Sequence, residues 1–299
     1  MSTSIDTSFV AFYVAEAHQV FQRTGSYLRR TVRVQDGVVG TSATFQKVGK
    51  GVATTKARHG AITPMNQTHT APSCTLADFY AGDYVDKLDE FKIKHDERMT
   101  IARGGALALG RKVDDQITTI LTTTSQTGVT FTVTSKAAIH ASLLAMVEAL
   151  DSLDVPNDGN RYGALTPRAW AQAQLVTAFN SADFVTADGM SYNSGAPTGG
   201  KYKDWLGVKW LMHSGLPGKG TSSAEIYTWH HDAVGYASGA LQGNVAGGDG
   251  EMQLGADITW HGDRAAHFVN HYMSGQAVMI DDTGVIQGTL DDTAAIATS

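Results

Sequence analysis

Between Arg30 and Ser73 the chain runs through 44 residues with very little that could build a core, and a strong helical pattern follows soon after. Val32, Val34, Val38, Val39, Phe45 and Val48 are scattered among threonine, serine, glycine and lysine, and Gly37, Gly40, Gly49, Gly51 and Gly60 punctuate the run. Such a pattern favours extended chain over a packed helix. Its charge is lopsided. Arg30, Arg33, Lys47, Lys50, Lys56 and Arg58 stand against Asp36 alone, a surplus of five in a chain of net charge −6, so the remainder carries −11. A long β-hairpin with a glycine-rich, basic tip fits these features best, with a disordered loop as the alternative. A segment that cannot bury itself at home needs another surface, most simply that of a second copy of the same chain.

Composition bounds the rest. At 299 residues with 42% hydrophobic content, the chain can form one large domain or two to three small ones. Charged residues make up 17%, below the usual ~25%, and the 32 glycines exceed the usual share. A neutral surface of this kind suits large protein–protein contacts, whose centres lose charge, and loop-rich folds give the same signal. The acidic balance, with a pI near 6.0, argues against a general nucleic-acid binder held by phosphate contacts. One cysteine, Cys74, excludes an internal disulfide framework and a cysteine-based zinc site. The opening MSTSIDTSFV lacks a basic region followed by an apolar one, and no run approaches the ~18 apolar residues of a membrane span. A soluble, cytoplasmically made protein is expected.

Apolar spacing places the elements. Phe9, Phe12, Tyr13, Ala17 and Val20 suit a docking helix in an N-terminal arm. Thr75 to Val85 is strand-like and leads into an acidic patch containing Asp78, Asp83, Asp86, Asp89, Glu90, Asp96 and Glu97. A long helix is expected from His95 to Thr122, with an apolar stripe through Met99, Ala102, Ala106, Leu109, Val113, Ile117, Ile120 and Leu121. Gly104 and Gly105 interrupt that stripe. Each costs ~1 kcal/mol against alanine in a helix interior, so the pair marks either a bend or close packing against another backbone. Thr130 to Val133 reads as a strand, and Ser135 caps a second helix through Leu153. Arg161 to Leu165 is a strand, and Thr166-Pro167 opens a third helix.

Beyond it, Phe179 to Lys203 reads as a surface loop, Trp205 to Leu216 as one buried strand ending in a turn, and Ala224 to Trp229 as a strand. Asp232 to Ala240 reads as helical and Gln242 to Gly250 as flexible. Ile258 to Trp260, Ala265 to Tyr272, Ala277 to Ile280 and Val285 to Gln287 are expected strands, with a hairpin-type turn at Asp281 to Gly284. The fold class is α+β.

No constellation of residues carries chemistry. His230-His231 would point to opposite faces of a strand. His261, His267 and His271 lack the HExxH pattern of a helical zinc site, and their surroundings favour β structure. KVGKGVATTK and GLPGKGTSS fail the phosphate-loop pattern, because Lys50 and Lys219 are each followed by glycine. Ser214 lacks the Gly-x-Ser-x-Gly elbow, and Cys74 reads as a small residue in a strand. The reading is therefore of a protein that is not an enzyme and needs no cofactor. A metal-dependent hydrolase using the C-terminal histidines is the second reading. The basic hairpin has only Phe45 as a stacking aromatic, against the several of a single-strand platform. Its charge instead complements the acidic patch, so an arm crossing that patch on the next copy would be steered and set in register.

Four separated blocks, in order, carry a family resemblance: GVVGTSATFQKVGKG; ADFYAGDYVDKLDEFKIKHDER leading into ARGGALALGRKVDDQI; WLGVKWLMHSGLP; and DITWHGDRAAHFVNHYMSGQAVMID. Together they resemble the major capsid proteins of tailed bacteriophages, of the Hong Kong 97-type fold, in a branch found in short-tailed phages. The resemblance implies an N-terminal arm at 1–29, an extended loop at 30–75, a peripheral domain with a spine helix at 76–134 and 258–290, an axial domain at 135–257 and a tail at 291–299. It implies hexamers and pentamers tiling an icosahedral shell around double-stranded DNA held without sequence-specific binding, assembled in the bacterial cytoplasm and residing in the virion. A portal protein is an implied partner. So is a separate scaffolding protein, because few residues precede the arm. Gly104 and Gly105 become the expected bend of the spine helix. Arg30, Arg33, Lys47, Lys50, Lys56 and Arg58 become one side of an inter-subunit contact, with Asp83, Asp86, Asp89, Glu90, Asp96 and Glu97 as the other. Lysine–asparagine crosslinks are not expected, since nothing pairs these lysines with an asparagine and a carboxylate.

Overall fold

The computed structural model describes residues 25–88, 97–176, 179, 202–240 and 254–295. The expected arm helix from Phe9 to Val20 and the segment Gln242 to Gly250 lie outside these residues.

Two sheets share one long helix. The first sheet contains β1 (Arg33–Val38), β6 (Ala77–Asp86), β12 (Val234–Gly239), β13 (Gly255–His261) and β14 (Ala266–Met279). Its centre is β14, which pairs antiparallel with β13, β6 and β12. The second sheet runs β7 (Thr127–Phe131), β15 (Val285–Leu290), β11 (Ala224–His230), β8 (Arg161–Leu165), β10 (Val208–Met212) and β9 (Tyr202–Trp205). Two short ribbons build the hairpin: β2 (Ser42–Thr44) with β5 (Ser73–Thr75), and β3 (Lys47–Val48) with β4 (His69–Thr70).

The helices form where their local signals lie. Helix α1 spans Glu97–Leu121 and buries Leu109, Val113, Ile117 and Leu121. Helix α2 (Lys136–Ser152) starts at Ser135, whose side chain accepts from the Ala138 N–H. Helix α3 (Pro167–Ala173) has Thr166 as its cap and proline in its first turn. The second sheet is covered on both faces. Ile139, Leu143, Met146 and Leu150 of α2 pack with Leu165, Trp210, Ile226 and Ile286. On the other face, Tyr162, Leu211, Tyr227 and Trp229 meet the α1 stripe together with Tyr236 and Met273 of the first sheet. That double cover explains why every residue of β8 is buried. The helix thus ties the two sheets into one core.

Four expectations need correction. Asp232 to Ala240 is a 3₁₀ turn (His231–Ala233) and then strand β12, not helix. Its short apolar run has no helical period of its own, and pairing with β1 and β14 decides its state. Trp205 to Leu216 is not one strand. Leu206 and Gly207, both at positive φ, form the two-residue turn of a β9–β10 hairpin. Within the expected surface loop, Phe179 is buried and Tyr202-Lys203 open β9. The turn at Asp281 to Gly284 is a 3₁₀ turn linking β14 in one sheet to β15 in the other, so it closes no hairpin. Strand pairing also cuts across the expected domain limits, since β7 and β15 join the second sheet and β12 the first.

Candidate assembly interface

The hairpin is anchored at its root by one aromatic side chain. Phe45 is 2% exposed and sits with Ala43, Cys74, Ala237 and Ile280 in a small core of its own. Its ring lies so near Gly235 of β12 that a Cβ there would stand 2.9 Å from it. Backbone bonds from Phe45 N–H to the Pro72 carbonyl (2.8 Å) and from Leu76 N–H to the Thr41 carbonyl (2.9 Å) close the root. Cys74 is buried there and its thiol is pushed up by that burial, so it reads as structural.

Past β3 the hairpin leaves the body. The last ladder-like bond runs from Gly49 N–H to the Thr68 carbonyl at 2.8 Å, and the turn closes from Gly60 N–H to the Ala57 carbonyl at 2.9 Å. Residues 51–71 are exposed, Gly60 alone being intermediate. Among them Val52 (75%), Ile62 (74%) and Met65 (50%) present apolar surface to solvent.

The six basic residues occupy three settings. Arg30 and Arg33 are exposed beside the start of β1. Lys47 and Lys50 are ion-paired within the chain, to Asp281 and Asp154 respectively, each at 2.8 Å. Lys56 and Arg58 stand exposed at the tip and form no ion pair among the described residues. Asp36, the one acid of the segment, is used locally by Arg29 at 2.5 Å and by the Ser238 hydroxyl. It therefore does not offset the tip.

On the acidic side, Asp83 and Asp86 are exposed on β6, where each accepts a nearby backbone N–H, from Tyr84 and Leu88. Asp89, Glu90 and Asp96 lie outside the described residues, as does the Glu97 side chain at the start of α1. Among the described residues, neither Asp83 nor Asp86 pairs with any of the six basic residues.

Gly104 and Gly105 both lie inside α1. At Gly105 a Cβ would meet His271 Nδ1 at 2.8 Å and the Ala81 carbonyl at 3.1 Å, so the helix approaches β14 and β6 at backbone distance. Nearby, a buried network escaped sequence reading. Asp114 of α1 accepts from the Ser26 hydroxyl (2.6 Å), from the Tyr27 and Leu28 N–H groups (3.0 Å each), and from His213 Nε2 (3.1 Å). His213 Nδ1 accepts from the Gly215 N–H at 3.2 Å, which assigns the ring proton to Nε2. Burial alone would raise the Asp114 carboxyl, but hydrogen bonds from His213, Ser26 and Leu28 outweigh it and hold it below the ordinary carboxylate range. The network fixes the end of the N-terminal arm to both the helix and β10. No local motif announces it, because its members are far apart in sequence.

The histidines do not converge on a metal site. His230 pairs with Asp158 at 3.1 Å and His231 with Asp232 at 3.1 Å. His267 and His271 share β14 at four residues' separation, roughly 13 Å along a strand. His267 packs against Trp260, and His271 is buried, which lowers its pKa. Among the described residues no group of three or more histidine, cysteine or acidic side chains could hold a metal ion. The hydrolase reading loses its support.

A family model for phage capsid proteins matches residues 5–292. The chain belongs to the phage capsid protein family. Solved structures repeat its fold over nearly its whole length at low identity. A chain from Mycobacterium phage Che8 is 14% identical with a TM-score of 0.68, covering 93% of this chain and 95% of that one. The capsid of cyanophage P-SCSP1u is 15% identical with a TM-score of 0.67, over 97% and 95%. The capsid of a native GTA particle is 14% identical with a TM-score of 0.64, over 93% and 94%. No curated protein matches the sequence. The protein is a structural capsid subunit with the Hong Kong 97-type fold.

Proposed function

We propose that this capsid subunit is the major shell protein of a tailed phage. It forms hexamers and pentamers that tile an icosahedral head around double-stranded DNA, and its extended hairpin reaches a neighbouring copy. One observation carries this reading: beyond Gly49 the hairpin exposes Val52, Ile62 and Met65 together with Lys56 and Arg58 and packs none of them on its own body. Exposed apolar residues gathered on a projecting arm call for a partner surface. The acidic segment around Asp83 and Asp86 offers complementary charge on the next subunit. Each exposed pair contributes only ~0–1 kcal/mol, so the contact draws its strength from repetition around a closed ring.

In this reading the arm (1–29), the extended loop (30–75), the peripheral domain (76–134 and 258–290) and the axial domain (135–257) serve as assembly parts that share strands across their limits. Gly104-Gly105 provide the give in the spine helix when the shell changes shape. A separate scaffolding protein and a portal complete the assembly in the host cytoplasm. Net negative charge leaves the packaged DNA free of tight phosphate contacts. Electron microscopy of the purified chain, alone and co-expressed with candidate scaffolds, is the test. Closed shells or capsomer rings are expected, and a compact monomer at high concentration under every condition would overturn the reading.

A further inference from the structure

Two of the six basic residues point home instead of outward, and that arrangement has a use. Lys47 lies on β3 and Lys50 just past it, at the level where the hairpin leaves the body. Lys47 Nζ reaches Asp281 Oδ1 at 2.8 Å, in a pair about one-third exposed on each side. Lys50 Nζ reaches Asp154 Oδ2 at 2.8 Å, and both of its partners are largely exposed. Asp281 caps the 3₁₀ turn between the two sheets, while Asp154 sits at positive φ just past α2. The cleft beneath the hairpin is lined by Lys50, Asp154, His230, Asp232, Asp281 and Thr283. Three carboxylates therefore face the underside of a basic strand pair, and their charge draws the lysines inward. Asp281 would be raised by its partial burial, but hydrogen bonds from Lys47 and Thr283 hold it below its ordinary range. The Lys50 hydrogen bond does the same for Asp154.

We propose that Lys47 and Lys50 form an electrostatic clasp that holds the hairpin on its own subunit before assembly, with Asp281 and Asp154 as its two catches. Phe45 is a permanent anchor because its contacts are apolar and fully buried. The clasp beyond it is releasable because its pairs are partly or wholly solvated, weak singly and screened by salt. Between the two lies the point from which the hairpin can swing. The clasp competes for the lysines that a neighbour's acidic surface would otherwise engage, so a subunit keeps its arm in until another copy offers more carboxylates. This last step rests on the arm reaching a neighbour, as proposed above. The clasp itself does not.

Asp154→Asn with Asp281→Asn separates the two ideas, because neither aspartate belongs to the proposed inter-subunit set. Asparagine tolerates the left-handed backbone at 154 and can still cap the turn at 281. Hydrogen exchange of the unassembled full-length chain is the readout. Amides of Lys47, Gly49 and Thr70, which belong to the hydrogen-bonded pairs of the ribbon, are expected to exchange about five-fold faster or more in the double variant, with those of Arg161 to Leu165 unchanged. The parent chain moved from 0.1 to 1 M sodium chloride should show part of the same acceleration at the same amides. Exchange at these three positions within two-fold of the parent, with the β8 amides still protected, would overturn the clasp. Should the double variant lose the β8 protection as well, the salt titration of the parent decides, and its failure to accelerate those amides would overturn the clasp equally. Faster exchange with unchanged assembly kinetics would instead uphold the clasp and count against the neighbour contact.

Discussion

The root and the tip of the same hairpin obey different rules. At the root, the residues from Ser42 to Val48 carry one aromatic side chain, Phe45, and that ring fixes the ribbon to the body. At the tip, residues 51–71 hold several apolar side chains and bury none of them. The root lacks the hydrophobic content of the tip's surroundings yet is the part that is fixed. What separates them is a receptor, the flat face of Gly235 beneath Phe45, which the tip does not find among the described residues. An assembly protein needs both kinds of segment, one that aims the arm and one that stays available.

The sharpest way to isolate the body from the hairpin is to damage the body. Trp210 is fully buried between α2 and the second sheet, so Trp210→Ala should cost ~3–5 kcal/mol of global stability. A drop of that size in the denaturant midpoint is expected. A loss under 1 kcal/mol would mean the core does not reside where the packing places it.

Phe45→Ala should behave differently. The removed ring would cost ~3 kcal/mol if its site were part of the global core. As a satellite it should chiefly release the root, with faster exchange at Ala43 and Cys74 amides and a smaller shift in the global midpoint. Equal losses at the root and at β8 would erase the distinction between anchor and core.

Gly105→Ala tests the helix contact. The new methyl would press on the His271 ring and the Ala81 carbonyl, and overpacking of this kind costs ~1–3 kcal/mol. A lowered melting temperature is expected. Gain of stability through helix propensity alone would show that α1 can lift from β14 at no cost, which would favour a bend at this position over tight packing.

These elements also show which parts of the fold were legible. Helix α2, the start of α3 and strand β8 were readable to within a residue because their signals are local: a serine cap, a threonine–proline start, a short strand. Strand β12 was misread because Val234 to Gly239 is too short to show a period of its own, and only its neighbours in the sheet decide its state. The β9–β10 turn was missed because leucine at positive φ is no turn signal. The exposed hairpin was legible in the 44-residue stretch, whose composition favours extended chain over a packed core. The catches at Asp154 and Asp281 were not, since Lys50 and Asp154 stand 104 positions apart and nothing in spacing joins them.

Acid should loosen the arm's attachment before the second sheet is touched. Asp114, Asp154 and Asp281 all have lowered carboxyls. Acids of that kind add stability above the unfolded value near ~3.9, and the contribution is lost as pH falls through the folded value. Stability should begin to decline below about pH 6.5, where buried His271 resists the proton that the unfolded chain takes up, and fall further below about pH 4 as these carboxylates are protonated. In Asp114→Asn the baseline should fall and the acid slope should shrink, read by urea midpoints across that range. An unchanged slope would remove Asp114 from the accounting.

The smallest effect on the folded subunit should accompany the largest effect on assembly. Lys56 and Arg58 are exposed and form no ion pair among the described residues, so Lys56→Gln with Arg58→Gln should leave subunit stability within ~0.5 kcal/mol. The same pair of changes removes the uncompensated charge from the tip and should slow or abolish shell formation, measured by sedimentation and electron microscopy. Because attraction between exposed charges is screened, the parent's assembly rate should fall with ionic strength more steeply than the variant's. Normal shells from the variant, with the parent's salt dependence, would mean that the tip meets its neighbour through Val52, Ile62 and Met65 alone. The basic residues would then serve solubility, and the difference between root and tip would be one of apolar burial throughout.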